Sequence, residues 1–234
     1  MKNHRIIQLG LILPDNTDLK DYQINILNSL KKNKFFKIRL FKINCKKINN
    51  LTKNLFFLEK KFSKKKKFIS NEIFKFLKNS RKTTYNELKS YSKKDVNIFI
   101  NLSGTNISNQ LIGINKPLWE IVYGKENSQT FPICFNDIVD KKPFSIIKII
   151  ELFNDNFRLI NEGFFNIKSY AILHQEFMFE KTAVLLFKSL NLIRKNNLSI
   201  KKIKKTIIKN KNIGLFKLFK YFFENYFFNL IDRK

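Results

Sequence analysis

The 234 residues hold two cysteines, Cys45 and Cys134, and two histidines, His4 and His174. The cysteines lie far apart, with no CxxC spacing and no histidine beside them. That excludes a zinc site of the usual spacing and a disulfide framework, and leaves no need for an oxidising compartment. No segment approaches the roughly 18 consecutive apolar residues of a membrane span. The apolar run from Ile6 to Leu13 is cut by Pro14-Asp15 and lacks a small-residue cleavage site, so it reads as a strand and not a secretion signal. The expected location is cytoplasmic, either free or peripheral to the inner membrane. Acidic residues are also few, 18 against 46 basic ones, for a net charge of +28 and a pI near 10.1. Only six of the 46 are arginine, the residue whose planar fork suits phosphates and guanine edges. Glycine, proline and alanine are scarce, whereas Lys, Asn, Ile and Phe, the amino acids of A/T-only codons, abound. Base composition therefore accounts for much of the charge, and nucleic acid is not the expected partner.

What remains is a chain that is 44% apolar, enough for one substantial α/β domain with an appendage. Ile6–Leu13 predicts a first strand and Asp18–Lys31 a helix, with Leu19, Tyr22, Ile26 and Leu30 on one face. Pro14 to Thr17 supplies turn and cap chemistry between them. Phe36–Ile43 (FKIRLFKI) alternates apolar with basic and predicts a second strand with one wetter face. Leu51–Phe62 returns to helical spacing, Lys64–Lys67 reads as a solvated loop or helix end, and Ile73–Lys78 as a short helix. After Gly124, Thr130–Phe135, Ser145–Phe153 and Phe157–Ile160 are short strand candidates, with Asn154-Asp155-Asn156 a hairpin turn. Ile167–Leu192 predicts a long helix. The expected fold is a Rossmann-like, mainly parallel sheet flanked by helices, with a basic helical C-terminal extension. Domain boundaries are expected at 1–195 and 196–234.

The most informative stretch is DVNIFINLSGTNISNQLIGINKPLWEIVYG, from Asp95 to Gly124. Val96–Leu102 (VNIFINL) is the best strand in the chain and predicts the centre of the sheet. Ligands of open α/β sheets sit just past the carboxyl ends of such strands, so the loop from Ser103 to Asn109 is the first candidate site. Within it, Gly104 and Asn106 either shape a loop that approaches a phosphate or cofactor, or make an ordinary strand-end turn. Trp119, the single tryptophan, and Glu120 are either a pocket aromatic with a polar hook, or a core anchor with a surface carboxylate. Asp140 is either a catalytic carboxylate or a turn aspartate before Pro143. His174 reads as a half-buried residue of the long helix.

Four segments taken in order resemble a bacterial and plant family of formyltransferase-like domains. Such domains occur at the N-terminus of glucosamine inositolphosphorylceramide transferases and of bacterial surface-glycan proteins. RIIQLGLILPDN with the Asp18–Lys31 helix resembles the family's first strand and helix, and DVNIFINLSG its central strand. KPLWEIVYG resembles its Pro-aromatic-Trp-Glu segment, and FEKTAVLLFKSL its closing helix. The resemblance covers residues 5 to 195. It implies the fold of folate-dependent formyltransferases, which move a formyl group onto an amine with an Asn, a His in an Asn-x-His arrangement, and an Asp. On that pattern Asn106 takes the Asn position and Asp140 the Asp position; Ser103, Gly104, Trp119 and Glu120 are the candidate substrate contacts read from this sequence. Two departures stand out. Ser108 occupies the place of the His, and Lys141 follows Asp140 where a glycine is usual. Loss of an oxyanion partner costs on the order of 10²–10³ in rate. The catalytic motif is degenerate, and formyl-folate is implied as a cofactor only if the family activity is kept.

The function implied is a formyltransferase-like domain of glycan or glycolipid assembly, acting on a small-molecule or sugar substrate. The alternative is a non-enzymatic scaffold. LFKLFKYFFENYFFNLIDRK, at the end of the chain, sets Phe against Lys on a helix. It would dock on a membrane surface or on a downstream domain, of the kind similar to a glycosidase-type β-propeller that follows in longer relatives.

Overall fold

Strand β1, Ile7–Pro14, is apolar almost without interruption because it lies inside the sheet with both faces covered. The computed structural model describes residues 6–15, 19–44, 56, 77–78, 80–91, 96–124, 128–129, 132–154, 156–195, 201–203, 209–210 and 213–227. β1 leads into helix α1, Asp21–Lys32, then β2, Phe36–Ile43, the two-residue β3, Arg81–Lys82, and the short helix α2, Tyr85–Lys89. β4, Ile98–Asn101, and β5, Leu118–Tyr123, form the centre. β6, Ser128–Gln129, and helix α3, Phe135–Val139, precede the long hairpin of β7, Phe144–Phe153, and β8, Asn156–Asn166. Helix α4, Ala171–Arg194, is followed by β9, Lys201–Ile203, β10, Lys209–Asn210, and helix α5, Leu215–Phe222, which runs into a π-helical turn at Phe223–Phe227.

Eight strands form one sheet in the order β3-β2-β1-β4-β5-β7-β8-β9. The first five are parallel to one another, and the last three pair antiparallel. β6 and β10 make a separate parallel pair. This is the mainly parallel Rossmann-like sheet that the strand–helix alternation predicts, and the central ribbon is the predicted one. β4 is fourth of the eight strands, flanked by β1 and β5.

Side chains alternate across each strand, so the sheet has two distinct cores. Leu9, Leu11, Ile98, Ile100, Trp119 and Ile121 face α1 and α4, where they meet Leu27, Leu30, Met178 and Leu186. Ile12, Phe99, Leu118 and Val122 face the other way, towards Leu88 and Tyr91 and the loop residues Ile107, Leu111 and Ile114. Gly10 is required by this packing. It pairs with Phe99 across the β1–β4 ladder, and a Cβ there would stand 2.5 Å from the Phe99 ring.

Several expectations meet the structure closely and others do not. β2 has the predicted bounds. α1 begins at Asp21 and not at Asp18, because Lys20 is its cap and Gln23 reaches back to accept from the Lys20 amide at 2.6 Å. Thr130–Phe135 is not a strand where described. Pro132 lacks a ladder donor, Cys134 turns at φ 59°, and Phe135 starts α3. β8 extends beyond Ile160 to Asn166. The hairpin turn falls where predicted, with Phe153 paired to Asn156 and Asn154 at φ 46°. The predicted helix at Leu51–Phe62 lies outside the described residues except for Phe56. Lys64–Lys67, and Ile73–Lys78 apart from Leu77 and Lys78, lie outside them too.

The described parts of residues 196–234 pack on the body of the domain. β9 extends the sheet from β8, and α5 buries Leu218 and Tyr221 against Phe56, Phe135, Val139 and Ala171. Tyr221 also accepts from the Ala171 amide at 2.7 Å, which caps the free N-terminal end of α4. Among the described residues, no helix is long and apolar enough to cross a membrane.

Candidate functional site

The carboxyl ends of β1, β4 and β5 share one edge of the sheet, and the Ser103–Asn109 loop leaves β4 there. Parallel pairing of Ile100 with Trp119 puts Asn101 beside Glu120 on the next strand. Asn101 Nδ2 donates to Glu120 Oε2 at 2.7 Å and to the Thr105 carbonyl at 2.7 Å. Asn101 Oδ1 accepts from the amide and the hydroxyl of Ser103 at 2.9 and 2.7 Å. Glu120 Oε1 accepts from the Ile107 amide at 2.9 Å, and the Ser108 amide also donates to this carboxylate. Gln23, at the start of α1, donates to the Leu102 carbonyl and so pins the near end of the loop. Gly104 turns the chain at φ 79°, in the left-handed region that favours glycine.

Asn106 sits inside this frame. Its Oδ1 accepts from the Ser108 hydroxyl at 2.8 Å, while its Nδ2 is buried with no acceptor among the described residues. A buried donor of this kind costs about 1–3 kcal/mol, so an acceptor brought to it gains correspondingly. Glu120 is buried too, and burial pushes its carboxyl up to about 7 against the opposing effect of its three donors.

The structure gathers Ser103, Asn106 and Glu120 through hydrogen bonds, with Gly104 in the same loop. Trp119 is elsewhere. As the strand neighbour of Glu120 it points to the opposite face, fully buried in the α1–α4 core, and its Nε1 donates to Glu151 Oε2 at 3.2 Å. Glu151 in turn pairs with Arg158 at 3.7 Å. Asp140 lies at the end of α3, with its carboxylate 3.1 Å from Lys217 Nζ on α5.

A second polar cluster lies under the β7–β8 hairpin, and sequence reasoning missed it. The Lys168 amide donates to His174 Nδ1 at 3.3 Å, which leaves the ring proton on Nε2. Nε2 then donates to Ser145 Oγ at 2.9 Å, and Ser145 donates to Asp137 Oδ2 at 2.9 Å. Lys142 Nζ closes the chain on Asp137 Oδ1 at 2.8 Å. Burial holds His174 down to about 4, hence neutral, and pushes the neighbouring Cys134 thiol up. Ser145 and His174 are completely buried, so this is an internal strut between β7 and α4, not a solvent-open acid–base set. No spacing in the sequence announces it. Among the described residues no group of three or more His, Cys, Asp or Glu side chains could hold a metal ion.

A five-strand parallel block extended by an antiparallel hairpin, with a polar loop at the carboxyl end of β4, is a Rossmann-like α/β architecture. No family model matches the chain, and no curated protein is similar to it beyond chance. Solved structures do match. WlaRD, a sugar 3N-formyltransferase studied with dTDP and 5-N-formyl-THF, shares 16% identity over 89% of this chain and 70% of its own, with a TM-score of 0.50. An N-formyltransferase from Helicobacter canadensis, in complex with folinic acid and dTDP-3-aminofucose, shares 15% over 92% and 79%, with a TM-score of 0.51. A sugar N-formyltransferase from Shewanella sp. FDAARGOS_354 shares 12% over 92% and 86%, with a TM-score of 0.53. These likenesses define the fold.

Proposed function

We propose that this domain acts on an amino-bearing sugar or nucleotide-sugar in glycan or glycolipid assembly, binding its substrates at the Ser103–Asn109 edge. The observation that carries the reading is the buried, unpartnered amide of Asn106 beside the carboxyl end of the central strand. A carbonyl oxygen is the acceptor such a donor fits, and its hydrogen bond strengthens as negative charge develops there. A formyl-folate would supply a formyl carbon and take a proton at the nitrogen it leaves. Asn106 would hold the carbonyl oxygen, and the loop around it would orient the acceptor amine. Asp140 is the proton acceptor in this reading, reached once Lys217 releases it. No imidazole stands beside Asn106 among the described residues, so transfer would be slow compared with enzymes that have one.

The test combines binding and turnover. Wild-type protein is titrated with folinic acid and with dTDP, then incubated with a formyl-tetrahydrofolate and dTDP-3-aminofucose while the product's gain of one formyl group is followed by mass spectrometry. Asn106→Ala is expected to cut turnover on the order of 10²–10³. Absence of binding by either compound to the wild type would sink the reading.

A second reading has its own observation. Leu215, Phe216 and Phe219 on α5 are 82%, 80% and 70% exposed, and Lys220 borders them. A helix with this stripe and a basic flank suits an anionic lipid surface. Co-sedimentation with anionic vesicles, lost in the Phe216→Ser/Phe219→Ser double variant, supports it. Association between protein molecules without lipid would refute it.

A further inference from the structure

We infer that Glu120 is a positioning residue: its carboxylate is the clamp that holds the 101–108 loop in the shape that aims the Asn106 amide, and replacing it with an amide side chain opens that clamp. The inference rests on the reading of Asn106 as the substrate-facing donor.

Every polar group that meets Glu120 is a donor. Asn101 Nδ2 comes from β4, and the Ile107 and Ser108 amides come from the loop. From β7, the residue paired with Glu120 is Ile150. No described residue on these elements brings a charged group into contact with the carboxylate. Only an acceptor at both oxygens satisfies such surroundings. An ionised carboxylate meets that demand. A protonated acid, or a glutamine, turns one of its two ends into a donor facing another donor, and one arm of the clamp is lost.

The clamp grips on either side of Asn106. Thr105, before it, accepts from Asn101 through its carbonyl, and Ile107, after it, donates to Glu120. Asn101 is itself tied to Glu120, so both arms end on the same carboxylate. The side chain of Asn106 is thus placed by its neighbours' backbone, not by packing of its own amide nitrogen. Burial opposes the charge that the donors require, and the balance falls at about 7. The carboxylate is therefore ionised, and accepts at both oxygens, above about pH 7.

The experiment follows amide hydrogen exchange of Ile107 and Ser108 in the full chain, as protection relative to intrinsic rates, together with the affinity for folinic acid. In the wild type above about pH 7, Ile107 and Ser108 are expected to be protected and folinic acid to bind. In Glu120→Gln, protection should be lower by about tenfold or more at that pH, with folinic acid affinity falling alongside, as for loss of a charge-assisted bond. Glu120→Asp, which keeps the charge on a shorter arm, should restore part of the protection and of the affinity. Ile107 protection that ignores the substitution overturns the inference. If Glu120→Gln does not fold, Glu120→Asp decides alone, with Ile107 protection below that of the wild type expected and equal protection overturning the inference. If Ile107 responds as expected while folinic acid binds at no pH, the clamp stands and the formyl-transfer reading falls.

Discussion

Ser145 and His174 meet at 2.9 Å although 29 residues separate them, and they join the β7–β8 hairpin to the long helix inside the molecule. The direction of that bond follows from the Lys168 amide on the far side of the ring. A neutral ring is required, because a protonated one would have to turn a second donor towards that amide. His174→Gln breaks the chain and should cost about 1–3 kcal/mol at neutral pH, read from the urea midpoint.

The same histidine sets an acid limit. Its ordinary value of 6.5 is lowered to about 4 by burial, so between those values the unfolded chain binds the extra proton. Its contribution to stability is complete above pH 6.5 and is lost as pH falls towards 4. The wild type should show this fall, and His174→Gln should not.

Glu120 acts with the opposite sign. Its carboxyl rises from 4.5 to about 7, so the folded state holds a proton that the unfolded chain releases between those values. Stability therefore declines as pH rises from 4.5 to about 7, by about 3 kcal/mol, and the cost is constant above. Glu120→Gln should remove this slope and leave the rise due to His174. Denaturant midpoints of both variants across pH separate the two effects.

Gly10 carries a steric prediction. A methyl group there would press on the Phe99 ring at 2.5 Å, in a strand packed on both faces. Gly10→Ala should destabilise by about 1–3 kcal/mol through overpacking. The added change Phe99→Leu should return a large part of that loss, whereas additivity of the two losses would refute the account.

Tyr221 links the C-terminal helix to the start of α4 through the Ala171 amide. Tyr221→Phe keeps the ring packing and loses only the cap, for about 1 kcal/mol. Tyr221→Ala also empties the ring's site, for about 3–5 kcal/mol. Equal losses in the two variants would mean that the hydroxyl, not the ring, docks this helix.

Local pattern made much of the fold legible. Phe36–Ile43 alternates apolar with basic, apart from Leu40-Phe41, and is a strand with those bounds. Ile6–Leu13 and Val96–Leu102 are apolar runs of strand length, and both are sheet strands. Helix α2 went unread although Thr84 and Glu87 form a capping box whose spacing is written in the sequence. Thr130–Phe135 misled because aromatic and β-branched residues that suggest a strand can equally be buried in a turn. Phe135 is buried against Tyr221, with ring centroids 5.1 Å apart, and not in the sheet.

The first strand and helix, the second strand, the central ribbon with the loop beyond it, the hairpin and the long helix were determined by the sequence alone, because hydrophobic periodicity acts over a few residues. Which side chains share a site was decided only by tertiary structure. Trp119 and Glu120 are adjacent in sequence yet face opposite sides of the sheet, one into the helix-covered core and one under the loop. Asp137 lies in α3 and Asp140 caps its end, yet they meet Ser145 and Lys217 respectively. Pleating sends neighbours apart, strand pairing brings distant residues together, and the resulting burial sets how readily each carboxyl and imidazole holds its proton.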